Sequence, residues 1–345
     1  MPTPLASQRR MVRSLIADPS ALDDGPASCI ETHFSWVILT RRYAFKLKKA
    51  LDEPLLHHDT PHERRLACQS EVHLNRRLAA DVYLGVIALC RGTDGTVHRR
   101  QDDTAEADHY LVQMVRLDER HNLQWQIWHG RLDPADLDAL VDALAAFYRR
   151  SPPEWLSPGE HWQRMQRQIS DEIEELAGHG VSPGGLGLDN LGSALQRLGR
   201  ELKQLIEERV RTGHIREVHG DLRPEHVYFA GQPVVIDCLE FSRALRLQDP
   251  LEEIAFLAME CERMGAIRAA RRLQNRFVEA AGECPPAGLW HFYVARRALL
   301  WAVLAIRHRD HSDALGGNDW DDRANRYVGL AEGHLTRLAP ERNDR

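Results

Sequence analysis

No stretch of this sequence approaches the ~18 apolar residues that a membrane-spanning helix needs. Its opening segment, MPTPLASQRRMVRSLIADPS, lacks the apolar core of a secretory leader. No membrane is therefore expected as a partner, and the cytoplasm is the expected location. Positive charge is not in excess either: 45 Lys and Arg face 51 Asp and Glu, a formal net charge of −6. Without a general positive field to hold a phosphate backbone, nucleic acid is not an expected partner. The six cysteines, Cys29, Cys68, Cys90, Cys238, Cys261 and Cys284, stand far apart with no C-x-x-C pair. A disulfide framework is not expected, and the thiols read as reduced.

What is present is ordinary for a globular chain, with 43% hydrophobic and 28% charged residues, and 345 residues are enough for two lobes that each bury a core. Residues 29–50, CIETHFSWVILTRRYAFKLKKA, read as a hairpin turning near Arg41 and Arg42, with Phe45 and Leu47 alternating against Lys46 and Lys48. Pro61 opens a helix through HERRLACQSEVHLNRRLAA, and the strands VYLGVIALC and HYLVQMVRL flank an Asp-Gly turn in RGTDGT. After residue 116 the pattern becomes helical, over 134–150, 160–177, 189–212, 250–281 and 286–309. The expected fold class is α+β, with a β-rich first lobe over 1–116 and a mainly α second lobe over 117–345. The glycine-rich stretch GHGVSPGGLG follows a helix and has the wrong spacing for a dinucleotide loop, so it reads as an interhelical connection.

The chemistry concentrates in VHGDLRPEHVYFAGQPVVIDCLEF, from Val218 to Phe241. Short apolar strands flank a loop carrying His219, Asp221, Arg223 and His226, and a hairpin through AGQP leads to Asp237. Two carboxylates on separate strands can divide phosphoryl transfer, one orienting and deprotonating a hydroxyl and the other holding a metal on the nucleotide phosphates. The same spacing also permits a metal-dependent hydrolase, with His219, Asp221, His226 and Asp237 as ligands.

HGDLRPEHV followed by VVIDCLEF resembles the catalytic loop and metal-binding segment of the aminoglycoside-phosphotransferase-like kinases, in particular an uncharacterised bacterial branch of small-molecule kinases. The likeness extends to THFSWVILTRRYAFKLKK, CQSEVHLNRRLAADVYLG, LQDPLEEIAFLAMEC and FYVARRALL, in the same order. It implies a bilobal protein-kinase-like fold, with a nucleotide-binding lobe followed by a catalytic and substrate-binding lobe. It implies ATP and Mg²⁺ as cofactors, with Mn²⁺ as an option, and a small-molecule hydroxyl acceptor as partner. Asp221 takes the place of the base and Asp237 that of the principal metal ligand, while His219 supports the loop. Arg223 stands where a cation faces the transferred phosphate, or else forms an ion pair with Glu225. Lys46 takes the place of the phosphate-gripping lysine and Glu71 that of its helical partner, with Glu63 as a rival. Lys48 and Lys49 are expected to be solvated, and adenine would lie against Met114 to Arg116.

Two departures stand out. His226 replaces the asparagine that helps hold a second metal, and imidazole suits Mn²⁺ better than Mg²⁺, so His226 is a candidate ligand or a loop hydrogen-bonder. No glycine-rich loop precedes the lysine strand; Thr32, His33 and Ser35 there either meet phosphate or cap strand ends. These departures leave open a catalytically weak nucleotide-binding module. For the acceptor, Glu252, Glu253, Glu260 and Glu262 would suit a cation but read as a solvated face. Arg243, Arg246, Arg296, Arg297 and Arg307 would suit an anion. Asp249 before Pro250 reads as a helix N-cap.

Overall fold

Alternation along Tyr43–Lys48 decides which face of the first sheet carries chemistry. Phe45 and Leu47 point into one apolar cluster, and Ala44 points into another on the opposite face, the face that Lys46 and Lys48 share. The structure, a computed structural model, describes residues 4–22, 25–53, 56–92, 96–100, 107–181, 185–311 and 317–338.

The chain divides into two compact units, Met1–Asn122 with His226–Leu245, and Leu123–Glu225 with Arg246–Arg345. A single cut at residue 116 therefore does not describe it, because residues 226–245 return to the first unit. The first unit begins with helix α1 (Pro4–Ala17) and strands β1 (Ser28–Glu31), β2 (Ser35–Leu39) and β3 (Tyr43–Lys48). A two-residue pair, β4 (Asp52–Glu53) and β5 (Leu56–His57), precedes α2 (Pro61–Asn75), followed by β6 (Tyr83–Arg91), β7 (Val97–Arg99) and β8 (His109–Val115). The six-stranded sheet runs β1-β2-β3-β8-β6-β7 and is antiparallel throughout.

One sheet face, with Trp36, Ile38, Phe45 and Leu111, packs on Met11, Val12 and Leu15 of α1. The other, with Ala44, Ala88, Val112 and Met114, packs on Cys68 and Val72 of α2 and on Val234 and Ile236. The expected first hairpin is a three-strand meander, because the Thr32 hydroxyl accepts from the Ser35 N–H at 3.0 Å and closes a tight turn after Glu31. Thr32 and Ser35 thus cap strand ends. The Asp-Gly turn expected in RGTDGT falls at residues 93–95, outside the described residues.

The returning segment forms the hairpin β10 (Val227–Ala230) and β11 (Gln232–Val235), turning at Gly231, whose φ of 94° suits only glycine. Tyr228 bridges Asn122, and the Val235 N–H donates to the Leu78 carbonyl.

The second unit contains α3 (Leu123–Trp128), α4 (Pro134–Arg150), α5 (Pro158–Gly178), α6 (Leu188–Glu201), α7 (Lys203–Arg211), α9 (Pro250–Arg263), α10 (Ile267–Ala281), α11 (Ala287–His311) and α12 (Gly317–Thr336). A short ladder pairs β9 (Arg216–Glu217) with β12 (Leu247–Gln248), and the turn α8 (Arg243–Arg246) carries the unit boundary. The helix expected over 250–281 is two helices, because Gly265, at φ 83°, ends α9. The helix expected over 189–212 likewise breaks at Leu202, and the glycine-rich connection joins α5 to α6, its residues 182–184 lying outside the description. Within α11, residues 287–309 are long and apolar enough to cross a membrane by length and composition, contrary to the sequence reading. Of their most apolar window, 72% is buried, and α11 packs on α5, α9 and α12 as the core helix of this unit.

Candidate active site

In the first unit, Glu71 stands fully buried on α2 and binds two lysines of β3. Its Oε1 lies 3.0 Å from Lys46 Nζ and its Oε2 2.5 Å from Lys48 Nζ. Lys46 Nζ also donates to Asp237 Oδ1 at 2.5 Å, and Lys48 Nζ donates to Glu240. The expected pair of Lys46 and Glu71 is in contact, Asp237 joins them in one physical cluster, and Glu63 drops out as a rival because it closes the N-terminal capping box with Thr60.

The expectation of a solvated Lys48 and Lys49 is wrong. Both are buried, Lys48 under α2 and Lys49 against Glu31, the Thr32 carbonyl and the Trp36 ring. Burial alone would drive the Lys46 ammonium toward neutrality, but Asp237 and Glu71 outweigh it and raise its pKa well above the ordinary range. Partial burial likewise opposes ionisation of Asp237, whose carboxyl is nevertheless held below its usual range by Lys46 and His226.

Asp237 sits at φ 64°, the one positive-φ residue other than glycine among the described residues. Such strain persists only where neighbours over-determine it. The Asp237 N–H donates to the Tyr83 hydroxyl at 3.1 Å, and the Cys238 N–H to Asn75 Oδ1 at 2.8 Å. His226 Nε2 lies 3.6 Å from Asp237 Oδ2. Met114 is buried on the α2 face, while Arg116 is exposed, with its N–H donating to the Arg42 carbonyl and its guanidinium to the Thr40 carbonyl.

The Asp237 side chain is 43% exposed, so a carboxylate oxygen reaches solvent beside buried cations. Two ammonium groups, Lys46 and Lys48, meet three carboxylates there, Glu71, Asp237 and Glu240, leaving negative charge over. Of the three, the exposed Asp237 carboxylate is the oxygen donor that fits Mg²⁺, a hard ion commonly held by one or two carboxylates plus waters and phosphates.

In the second unit the Asp221 loop hangs on Glu253. This fully buried carboxylate accepts the Gly220 N–H at 2.6 Å, the His219 N–H at 3.1 Å and the Tyr148 hydroxyl at 2.6 Å. Gly220, at φ 89°, makes the turn that leads into Asp221, whose N–H faces His219 Nδ1 at 3.4 Å. His219 is 1% exposed, in keeping with a supporting role. Arg223 pairs with Glu225 and lies over the Trp301 ring, 4.3 Å from its centroid. The ion-pair reading of Arg223 is therefore the one seen in the structure.

The expected solvated acidic face is also wrong: every residue from Pro250 to Cys261 is buried. Glu252 pairs with Arg296 and Arg297, and Glu260 with Arg263 and the Tyr327 hydroxyl. Glu262 meets His334 and Arg337. Arg296 and Arg297, with Arg246 on Glu217 and Arg307 on Glu175, are thereby engaged inside the chain. Asp249 caps α9 through the Leu251 N–H, as expected, and also binds Arg209 and Tyr293. Sequence reasoning missed Glu253, Lys48, Glu240, Asn75 and Tyr83. For Glu253 a signal existed, since LEEIAFLAMEC is apolar on all sides and leaves no face for solvated acids.

The fold is that of the aminoglycoside-phosphotransferase-like kinases. The chain superposes on an APH(2'') aminoglycoside phosphotransferase in complex with GDP and kanamycin at 14% identity, covering 95% of this chain and 99% of that one, TM-score 0.55. It superposes on a choline kinase from Streptococcus pneumoniae at 15% identity, covering 93% and 99%, TM-score 0.52. By sequence it is 27% identical over 342 residues to an uncharacterised protein of Mycobacterium tuberculosis, covering 88% of this chain. The chain spans 64% of the length of that relative. No protein-family model matches the chain.

Proposed function

We propose that this chain is an ATP-dependent phosphotransferase that moves the γ-phosphate to a hydroxyl of a small molecule. The observation that carries the reading is the cluster of Lys46, Glu71 and Asp237: a strand lysine, held by a buried helical acid, beside a strained carboxylate on a hairpin end. Such a lysine supplies charge to the α- and β-phosphates, and its glutamate keeps it extended and ionised. Asp237 would hold Mg²⁺, which neutralises charge on the phosphate oxygens. His226 Nε2, 3.6 Å from Asp237 Oδ2, is the candidate second ligand, through which Mn²⁺ would also be accepted.

Asp221 would orient the acceptor hydroxyl and take its proton at a carboxylate oxygen. Its loop is fixed by Glu253, so that little reorganisation is needed at the moment of transfer. Arg223 would stabilise the transferring phosphoryl group on leaving Glu225, and Met114 to Arg116 would form the adenine wall.

The test is a panel of hydroxylated metabolites and aminoglycosides incubated with ATP and either Mg²⁺ or Mn²⁺, read by phosphate balance and product mass. A product heavier by one phosphoryl group, absent with Asp221→Asn, is expected. Nucleotide binding with no transfer across the panel, and no slow ATP hydrolysis, would replace this reading with a nucleotide-sensing module.

A further inference from the structure

Lys48 and Glu240 have no part in the phosphotransfer scheme, yet they are among the most enclosed charges of the first unit. The Lys48 side chain is 3% exposed and that of Glu240 10%. A buried ion pair seldom adds net stability, because desolvation offsets the attraction, and its better-attested use is to specify one geometry. Here the geometry that needs specifying lies three residues before Glu240, at Asp237 in its left-handed conformation.

The anchors of that segment trace back to α2. Glu71 and Asn75 are one helical turn apart, and the Asn75 amide donates to the Glu71 carbonyl at 2.9 Å, which leaves its oxygen for the Cys238 N–H. One Glu71 oxygen meets Lys46, which touches Asp237 directly; the other meets Lys48, which reaches Glu240. The Arg77 guanidinium adds a contact to Cys238 Sγ at 3.3 Å. The stretch from Asp237 to Glu240 is thus held at its first residue, its second and its fourth.

We propose that Lys48 and Glu240 are a positioning pair for Asp237, through which Glu71 sets the phosphate-gripping lysine and the metal-binding carboxylate together. The inference rests on the reading of Asp237 as the metal ligand. It makes Lys48 a residue whose positive charge assists cation binding by holding a neighbour in place.

That sign separates the proposal from its rivals. If Glu240 ligated the metal or acted through charge alone, removing the Lys48 cation would free negative charge and strengthen cation binding. If the pair positions Asp237, Lys48→Met weakens it. The measurement is Mn²⁺ binding in the presence of ATP, followed by the paramagnetic signal of free Mn²⁺, alongside thermal melts and turnover as a function of Mg²⁺. Both Lys48→Met and Glu240→Gln are expected to raise the Mn²⁺ dissociation constant about tenfold or more, the usual effect of losing a partner of a metal ligand. Cooperative melting should be retained. Unchanged or tighter Mn²⁺ binding by Lys48→Met overturns the pair. Should that variant not fold, Glu240→Asp keeps the charge but withdraws it by one methylene; it too must weaken Mn²⁺, and parent-like binding overturns the proposal. A parent protein that binds no Mn²⁺ with ATP overturns the phosphotransferase reading itself, an outcome distinct from a binding parent whose variants match it.

Discussion

Lys46 Nζ lies 2.5 Å from Asp237 Oδ1, a contact that joins β3 to the end of a hairpin 191 residues further along the chain. The lysine thereby neutralises the carboxylate proposed above as the metal ligand. Asp237→Asn keeps the shape and removes the charge, so metal-dependent turnover should fall by about a hundredfold or more. Lys46 keeps Glu71, so a cooperative melt should persist. Steady-state rates at saturating Mg²⁺, beside a melting curve, check both halves of the expectation.

Glu253→Gln tests the support of the Asp221 loop. The new amide N–H would face the His219 N–H that Oε2 accepts at present, while Oε1 could still serve Gly220. One buried donor left unsatisfied costs about 1–3 kcal/mol. The urea midpoint should fall accordingly, with kcat reduced more than the KM for ATP is changed if the loop carries Asp221 as the proposed base.

Glu172 on α5 predicts a pH dependence of stability. Burial pushes its carboxyl up to about 8, although Arg296 and Arg297 act in the opposite direction. The folded chain therefore keeps a proton that the unfolded chain sheds near its ordinary value of 4.5. Stability should fall as pH rises from about 4.5 through 8 and level off above, by an amount on the order of 5 kcal/mol. Glu172→Gln should flatten that part of the curve, as urea unfolding across the range would reveal.

The thiols should react in order of access. Cys284 is exposed, Cys29 and Cys90 are half-buried, and Cys68, Cys238 and Cys261 are buried. Burial pushes the Cys68 thiol up to about 12 and raises that of Cys261 as well, which suppresses the reactive thiolate. A disulfide reagent should modify Cys284 first in the native protein and reach the three buried thiols only on unfolding, as peptide mass mapping over time would record.

Much of this architecture was legible in the residue pattern, and the gaps have physical causes. Alternation in YAFKLK put Lys46 and Lys48 on one face, but alternation reports a face and not its depth. Whether a face meets water depends on what covers it, here α2 and the segment through Val234 and Ile236. The acids of α9 were misread because spacing alone spreads them around the helix; the apolar residues on every side of them were the better guide to burial. The helix at 134–150 is legible from its pattern, and Asp133, Pro134 and the closing arginines mark its two ends. The hairpin after His226 was legible from its turn, whereas its membership of the first unit was not, since strand pairing is the same whichever neighbour the hairpin packs on.

That membership bears on how the gene can be divided. A truncated product ending at residue 122 would lack residues 226–245, and with them the covering that Val234 and Ile236 give to the apolar cluster on the α2 face of the sheet. The Asn75 and Tyr83 side chains would lose the backbone N–H groups they accept, and Lys48 would lose one of its two carboxylates. Expression as a soluble fragment calls for grafting the later hairpin back by a short linker, or for reordering the chain by circular permutation so that both stretches stay in one polypeptide.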